Sequence, residues 1–213
     1  MKSKVAVTFN ILVLAVMITA SLWARGLLPD APIATHFDTR GVADGFHSRD
    51  IGLAVMPIGV AVTGLLMWLL QHVLPGKEAL NRSTAAYTAA WVSVVAILGF
   101  AHAIIISHAF GMAIDARLLL AAPGLILIIL GNYMPKMRQN RFMGVRTPWT
   151  LRDERVWDRT HNLSGPLFML GGAVMMVAPF FVPAPRIVTA ILICALTPSA
   201  IAVIYSWWIA RRV

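Results

Sequence analysis

The apolar residues of this chain are gathered into six blocks, each near the length that crosses a membrane as a helix. They fall at 5–24, 51–72, 86–108, 117–133, 166–182 and 187–209. A hydrocarbon core about 30 Å thick needs about 20 apolar residues of helix. Inside it every backbone N–H and C=O must be bonded within the protein, so an open chain crosses as helices. Charged residues make up only 13% of the 213, where a water-soluble domain carries about a quarter. The expected fold is therefore all-α, a polytopic bundle of six transmembrane helices. The first block follows Lys2 and Lys4, but it is too long for the apolar core of a signal peptide and no A-x-A site follows. It reads as an uncleaved first helix. The fourth block contains Pro123, which needs neighbouring groups to satisfy the carbonyl it frees.

Orientation follows from the basic residues flanking the blocks. With the N-terminus inside, 13 of the 18 Lys and Arg lie on the cytoplasmic side and five (Arg25, Arg40, Arg49, Arg117 and Arg186) lie outside. Both termini and the segment 134–163 are thus expected in the cytoplasm, and the 25–50 loop outside. The net charge of +9 then faces anionic lipid, and no nucleic-acid partner is required. A single cysteine, Cys194, excludes an intramolecular disulfide and a cysteine-based zinc site. Two parts are expected: 1–83, with the outer loop, and 84–213, with the cytoplasmic loop 132–163. The endings Leu74-Pro75 and Met134-Pro135, each followed by basic residues, are a weak echo of a duplicated helical hairpin.

The most specified polar segment is 131–165, GNYMPKMRQNRFMGVRTPWTLRDERVWDRTHNLSG, with seven of the basic residues and two of the seven Trp. Pro135 stops a helix. Residues 140–144 read as a turn, with Gly144 free to take positive φ. Pro148 forces Thr147 to be extended. Thr150, with Asp153 three residues on, resembles a helix N-cap. A short interfacial helix over 151–161 is expected to lie along the cytoplasmic surface, with Trp157 buried against the bundle. Arg138, Arg141 and Arg146 lie within nine residues, and two of them are expected to point to one polar site near Asn140 and His161. Arginine suits this because it grips carboxylate or phosphate with two parallel hydrogen bonds.

The outer loop holds two short β-prone pieces, 33–37 and 45–47, around the Gly41 and Asp44-Gly45 turn signals. His36, Asp38, Asp44 and His47 offer metal-ligand chemistry. The same residues are commonly hydrogen-bonding turn residues, and no metal or other cofactor is expected. Within the membrane no Asp or Glu falls mid-span, which counts against ion-coupled transport. Asn10, His102 and His108 remain, and His102 reads as an interhelical hydrogen-bonding residue. No H-E-x-x-H, G-x-S-x-G or P-loop motif is present.

The stretch NRFMGVRTPWTLRDERVWDRTHNLSG, preceded by GNYMPKMR, resembles the signature of the SdpI family of bacterial membrane proteins. The outer stretch LPDAPIATHFDTRGVADGF resembles a small domain of unknown function found in the same proteins. The matching positions are Asn132, Pro135, Arg138, Asn140, Phe142, Gly144, Arg146, Thr147, Pro148, Trp149, Thr150, Trp157, Thr160 and His161. The resemblance implies a non-enzymatic receptor or immunity protein of the bacterial cytoplasmic membrane. It would give resistance to a secreted membrane-active peptide toxin and sequester a transcriptional repressor at the membrane. On that reading Arg138, Asn140, Arg141, Arg146, Trp149, Trp157 and His161 form a binding surface inside, and His36, Asp38 and Asp44 one outside. Two alternatives come from the residues themselves. One is a small oligomeric transporter or exporter with a path lined by His102, Asn10 and Asn132. The other is a membrane enzyme acting on lipid or peptide, with the arginines on phosphate and His161 as acid or base.

Overall fold

A computed structural model of the chain describes residues 4–73, 77–112, 114–115 and 117–213. Lys2, Leu74 and Pro75, which enter the argument above, lie outside the described residues. Six helices are long and apolar enough to cross a membrane, and the protein is a multi-pass membrane protein. They are α1 (Lys4–Leu27), α2 (Arg49–His72), α4 (Thr84–Ala109), α5 (Arg117–Tyr133), α7 (Glu154–Phe181) and α8 (Ala184–Ala210). Two short helices join them, α3 (Lys77–Arg82) and α6 (Pro148–Arg152), and a 3₁₀ turn at Met134–Lys136 closes α5. The strands β1 (Ile33–Phe37) and β2 (Ala43–His47) pair antiparallel, with Ile33 opposite His47 and Phe37 opposite Ala43.

Helices α1, α2 and α4 pack together around Ala6, Met17, Val60, Trp91 and Val95. Polar side chains join them in the apolar interior. Trp91 Nε1 donates to Asn10 Oδ1 at 2.9 Å, and Gly64 of α2 packs directly on the Asn10 amide. Ser21 Oγ donates to Leu53 O at 2.8 Å, which leaves its oxygen to accept from His102 Nε2 at 3.1 Å. His102 is thus an interhelical hydrogen-bonding residue, as expected. Such bonds matter in lipid because apolar burial gives no driving force between helices there.

The same physics shapes the second group, α5, α7 and α8. A Cβ built on Gly131 would lie 2.7 Å from Gly165 O, and one on Gly124 would lie 2.5 Å from Gly172 O. These four glycines, seven apart on each helix, let two antiparallel backbones touch at both ends of a heptad. Gly171 packs in the same way on Cys194 O of α8. Helix α4 also packs on α5, joining the two groups.

The hairpin sits over one end of the first group. Ile33 is buried with Ala24, Leu28, Leu53 and Ile105, and Phe37 lies against His108 with ring centroids 4.7 Å apart. Gly41, at φ +80°, brings the hairpin tip to within contact of Asp115 and Arg117. The opposite end carries segment 131–165, the start of α1 and the end of α8.

The block boundaries match the helices closely except at the fifth. The separate interfacial helix expected over 151–161 does not form, and its last eight residues are the opening turns of α7. The reason is a stripe of buried residues, Val156, Trp157, Thr160, His161 and Ser164, which keeps one helical face packed through Pro166. The cap also moves. Thr147 is the N-cap of α6, Pro148 takes its first turn, and Thr150 is the third helical residue, which completes the capping box. Asp153 caps α7 by accepting from Arg155 N at 2.8 Å.

Candidate functional site

Segment 131–165 is built from the inside out. After the 3₁₀ turn, Met137 is extended and its carbonyl accepts from Trp157 Nε1 at 2.8 Å. Asn140 then organises the turn. Its Oδ1 accepts from Phe142 N and Met143 N, at 2.9 and 2.8 Å, and its Nδ2 donates to Arg138 O at 2.8 Å. Gly144 follows at φ +96°, with room for no side chain, since a Cβ would stand 2.3 Å from His161 Nε2. That close approach lets Val145 N donate to His161 Nε2 at 3.0 Å. His161 Nδ1 lies 2.8 Å from Trp157 O, a carbonyl that can only accept, so Nδ1 carries the proton and Nε2 is the acceptor. The imidazole stacks on Trp157 at 3.9 Å between centroids, and both rings are fully enclosed.

Thr147 and Thr150 complete the fold of the loop. Thr150 Oγ1 donates to Val145 O at 2.8 Å and accepts from Thr147 N at 2.9 Å. Thr147 Oγ1 lies 3.1 Å from Ser206 Oγ, which ties the loop to α8. Arg138 N donates to Ser83 Oγ at 3.0 Å, which ties it to the start of α4. Gln139 Nε2 donates to Thr150 O at 2.6 Å. The segment is thus fastened to α4, α7 and α8 together.

The expected site residues divide by exposure. Asn140, Trp157 and His161 are buried and committed to backbone groups of the loop. Arg138, Arg141 and Arg146 are exposed, and Trp149 is half-buried. The arginines do not converge on His161, and Arg146 Nη1 instead donates to Arg141 O at 3.0 Å. Among the described residues no carboxylate lies within 4 Å of these three, nor of Arg152 or Arg159. Nearby, Arg211 and Arg212 stack on Trp207 and Trp208, each 3.9 Å from the ring centroid. The outcome is a rigid, buried scaffold that presents a cationic, aromatic-lined surface. With both His161 nitrogens taken, the acid–base role of the enzyme reading has no free group.

At the other end, His36 Nδ1 meets Asp44 Oδ1 at 2.6 Å and His47 Nδ1 meets Thr35 Oγ1 at 2.7 Å. Asp38 turns away to accept from Val42 N and Arg40 N, at 2.9 and 2.8 Å, and from the Arg40 side chain. The Val42 amide, with the Arg40 guanidinium, holds the Asp38 carboxyl below the usual carboxylate range. The four residues therefore act as hairpin-turn groups, and among the described residues no set of three His, Cys, Asp or Glu gathers at one point. Asn10 and His102 are locked between helices, while Asn132 is exposed in a separate groove between α4 and α5, so the three line no common path.

Sequence reasoning missed Ser83 and Ser206, the serines that fasten the loop. Nothing local marks a serine in one helix as the partner of a loop more than 50 residues away. The Thr147 cap was missed as well, with Thr150 taken in its place, although a threonine directly before a proline signals a cap followed by a favoured first helical residue.

In comparison with known proteins, residues 136–206 match the model of the SdpI/YfhL protein family. The immunity protein SdpI of Bacillus subtilis (strain 168) is 41% identical over 58 residues, which is 27% of this chain and 28% of that protein. The matched region thus spans little more than a quarter of that relative. No solved structure matches the chain.

Proposed function

We propose that this chain, whose residues 136–206 form an SdpI/YfhL family domain, is an immunity protein of the bacterial cytoplasmic membrane. On this reading it gives resistance to a secreted membrane-active peptide that meets the hairpin end. The Lys and Arg distribution supports an outward hairpin and a cytoplasmic 131–165 segment and termini. The arginine surface on the opposite face then serves as the docking place for a cytoplasmic partner, a transcriptional repressor held at the membrane when the peptide is bound.

One observation carries the reading. The buried residues of the segment spend every polar atom of Asn140, Trp157 and His161 on holding the loop's shape, while Arg138, Arg141 and Arg146 stay exposed and, among the described residues, free of carboxylates. A loop needing only to connect two spans requires no such scaffold. Guanidinium groups held in place suit carboxylate or phosphate recognition.

The test is survival. A sensitive bacterial strain expressing the chain is challenged with a panel of membrane-active peptides, with membrane potential as the readout. The wild-type chain should preserve the potential against at least one peptide. The double variant Arg141→Ala with Arg146→Ala should keep its melting temperature and its protection, yet lose co-purification of any repressor. Full sensitivity of cells carrying well-expressed wild-type chain across the panel would sink the immunity reading.

A further inference from the structure

A groove of about 550 Å³ runs between α1 and α2 on the outside of the bundle. One wall extends from Leu14 to Arg25 and the other from Asp50 to Ala61. Eleven helical steps of 1.5 Å make each wall about 16 Å long. That is about half of a 30 Å hydrocarbon core, or one leaflet. The groove opens at the hairpin end of the membrane and stops near its middle.

Its chemistry is polar at one end only. Arg25 and Asp50 join at the mouth by two bonds of 3.0 Å, with their side chains 58% and 52% exposed. The rest is apolar but for Ser21, whose hydroxyl donates to Leu53 O. Arg49 also bonds Asp50, at 3.2 Å, but its side chain is only 14% exposed and reaches Leu28 O. The mouth therefore offers the accessible Arg25 guanidinium beside the accessible Asp50 carboxylate, with the exposed Asp30 carboxylate close by, 3.6 Å from Arg49.

We propose that this groove seats one acyl chain of a zwitterionic, amine-bearing phospholipid, with its phosphate on Arg25 and its ammonium on Asp50. Length favours a lipid chain over a spanning peptide helix, which would need a wall in both leaflets, whereas this groove ends after about 16 Å. Charge favours a headgroup bearing both signs, since a purely anionic one would meet Asp50 as closely as Arg25. The proposal does not depend on the immunity reading.

The experiment uses the full chain reconstituted in vesicles of equimolar phosphatidylethanolamine and phosphatidylglycerol, then extracted and examined by native mass spectrometry. Wild type should retain one phosphatidylethanolamine, preferred about fivefold, the scale of an exposed charged contact. Ala54→Phe and Ala61→Phe each fill the groove and should remove the adduct. Arg25→Gln should abolish the preference and leave some binding. Circular dichroism and melting temperature identify any variant that fails to fold, and either groove-filling variant suffices. Equal retention of the two lipids, or an adduct that survives a folded groove-filling variant, would mean annular lipid only and overturn the proposal. Displacement of lipid by a membrane-active peptide that wild type binds more tightly would overturn it in favour of a peptide site.

Discussion

Gly144 and His161 show how much of the 131–165 segment rests on single atoms. Gly144 combines positive φ with a position at which an added Cβ would overlap the imidazole, so Gly144→Ala introduces both backbone strain and overlap. A loss of at least about 2 kcal/mol is expected in detergent unfolding. Trp157 is fully enclosed and bonds Met137 O, and Trp157→Ala should cost about 3–5 kcal/mol. Outside the membrane, Asp38 predicts a pH response. Its carboxyl is held low, mainly by the Val42 amide, so the ionised form stabilises the folded hairpin. That stability is present above the ordinary value of 3.8, and is lost as pH falls through the depressed one. Hydrogen exchange across 33–47 should therefore rise steeply below pH 3.8 in the wild-type chain. In Asp38→Asn the step should vanish, and an unchanged step would assign it to another group.

At the scale of elements, the α5–α7 seam is where packing leaves least room. Gly131→Ala places its methyl against the Gly165 carbonyl, which as backbone cannot swing aside. The loss should be about 1–3 kcal/mol. Gly26, near the end of α1, has nothing within 4 Å of its built Cβ. Gly26→Ala should be neutral or stabilise by up to about 1 kcal/mol through helix propensity. The pair separates packing from propensity, and equal effects on melting temperature would refute the seam. The continuity of α7 through Pro166 belongs to the same scale. The apolar block begins there, but the buried stripe from Val156 to Ser164 extends the helix by three turns beyond it.

For the whole molecule the testable claim is topology. Ser48 and Arg141 are exposed at opposite ends of the bundle, and Cys194 is the lone native thiol. In a Cys194→Ala background, Ser48→Cys should react with an impermeant maleimide added to intact cells, and Arg141→Cys should react only after lysis. Reaction of Arg141→Cys from outside would reverse the proposed orientation and with it the docking role of the arginine surface.

The sequence by itself determined the number of the membrane helices and the approximate limits of all but the fifth, because bilayer thickness and backbone hydrogen bonding leave one solution for apolar blocks of that length. It also determined the hairpin, the turn at Gly144 and the burial of Trp157, each from local chemistry. Tertiary structure alone decided which polar groups meet. Asn10 with Trp91, Ser21 with His102, Ser83 with Arg138 and Thr147 with Ser206 join residues 55 to 81 positions apart. It also withdrew His161 from the arginines and turned both its nitrogens to backbone. The reason is that helix periodicity sets which face a residue occupies, while its partner depends on how the helices are rotated and shifted against one another. In this protein small residues set that arrangement, by allowing backbones to touch, as Gly131 and Gly165 do.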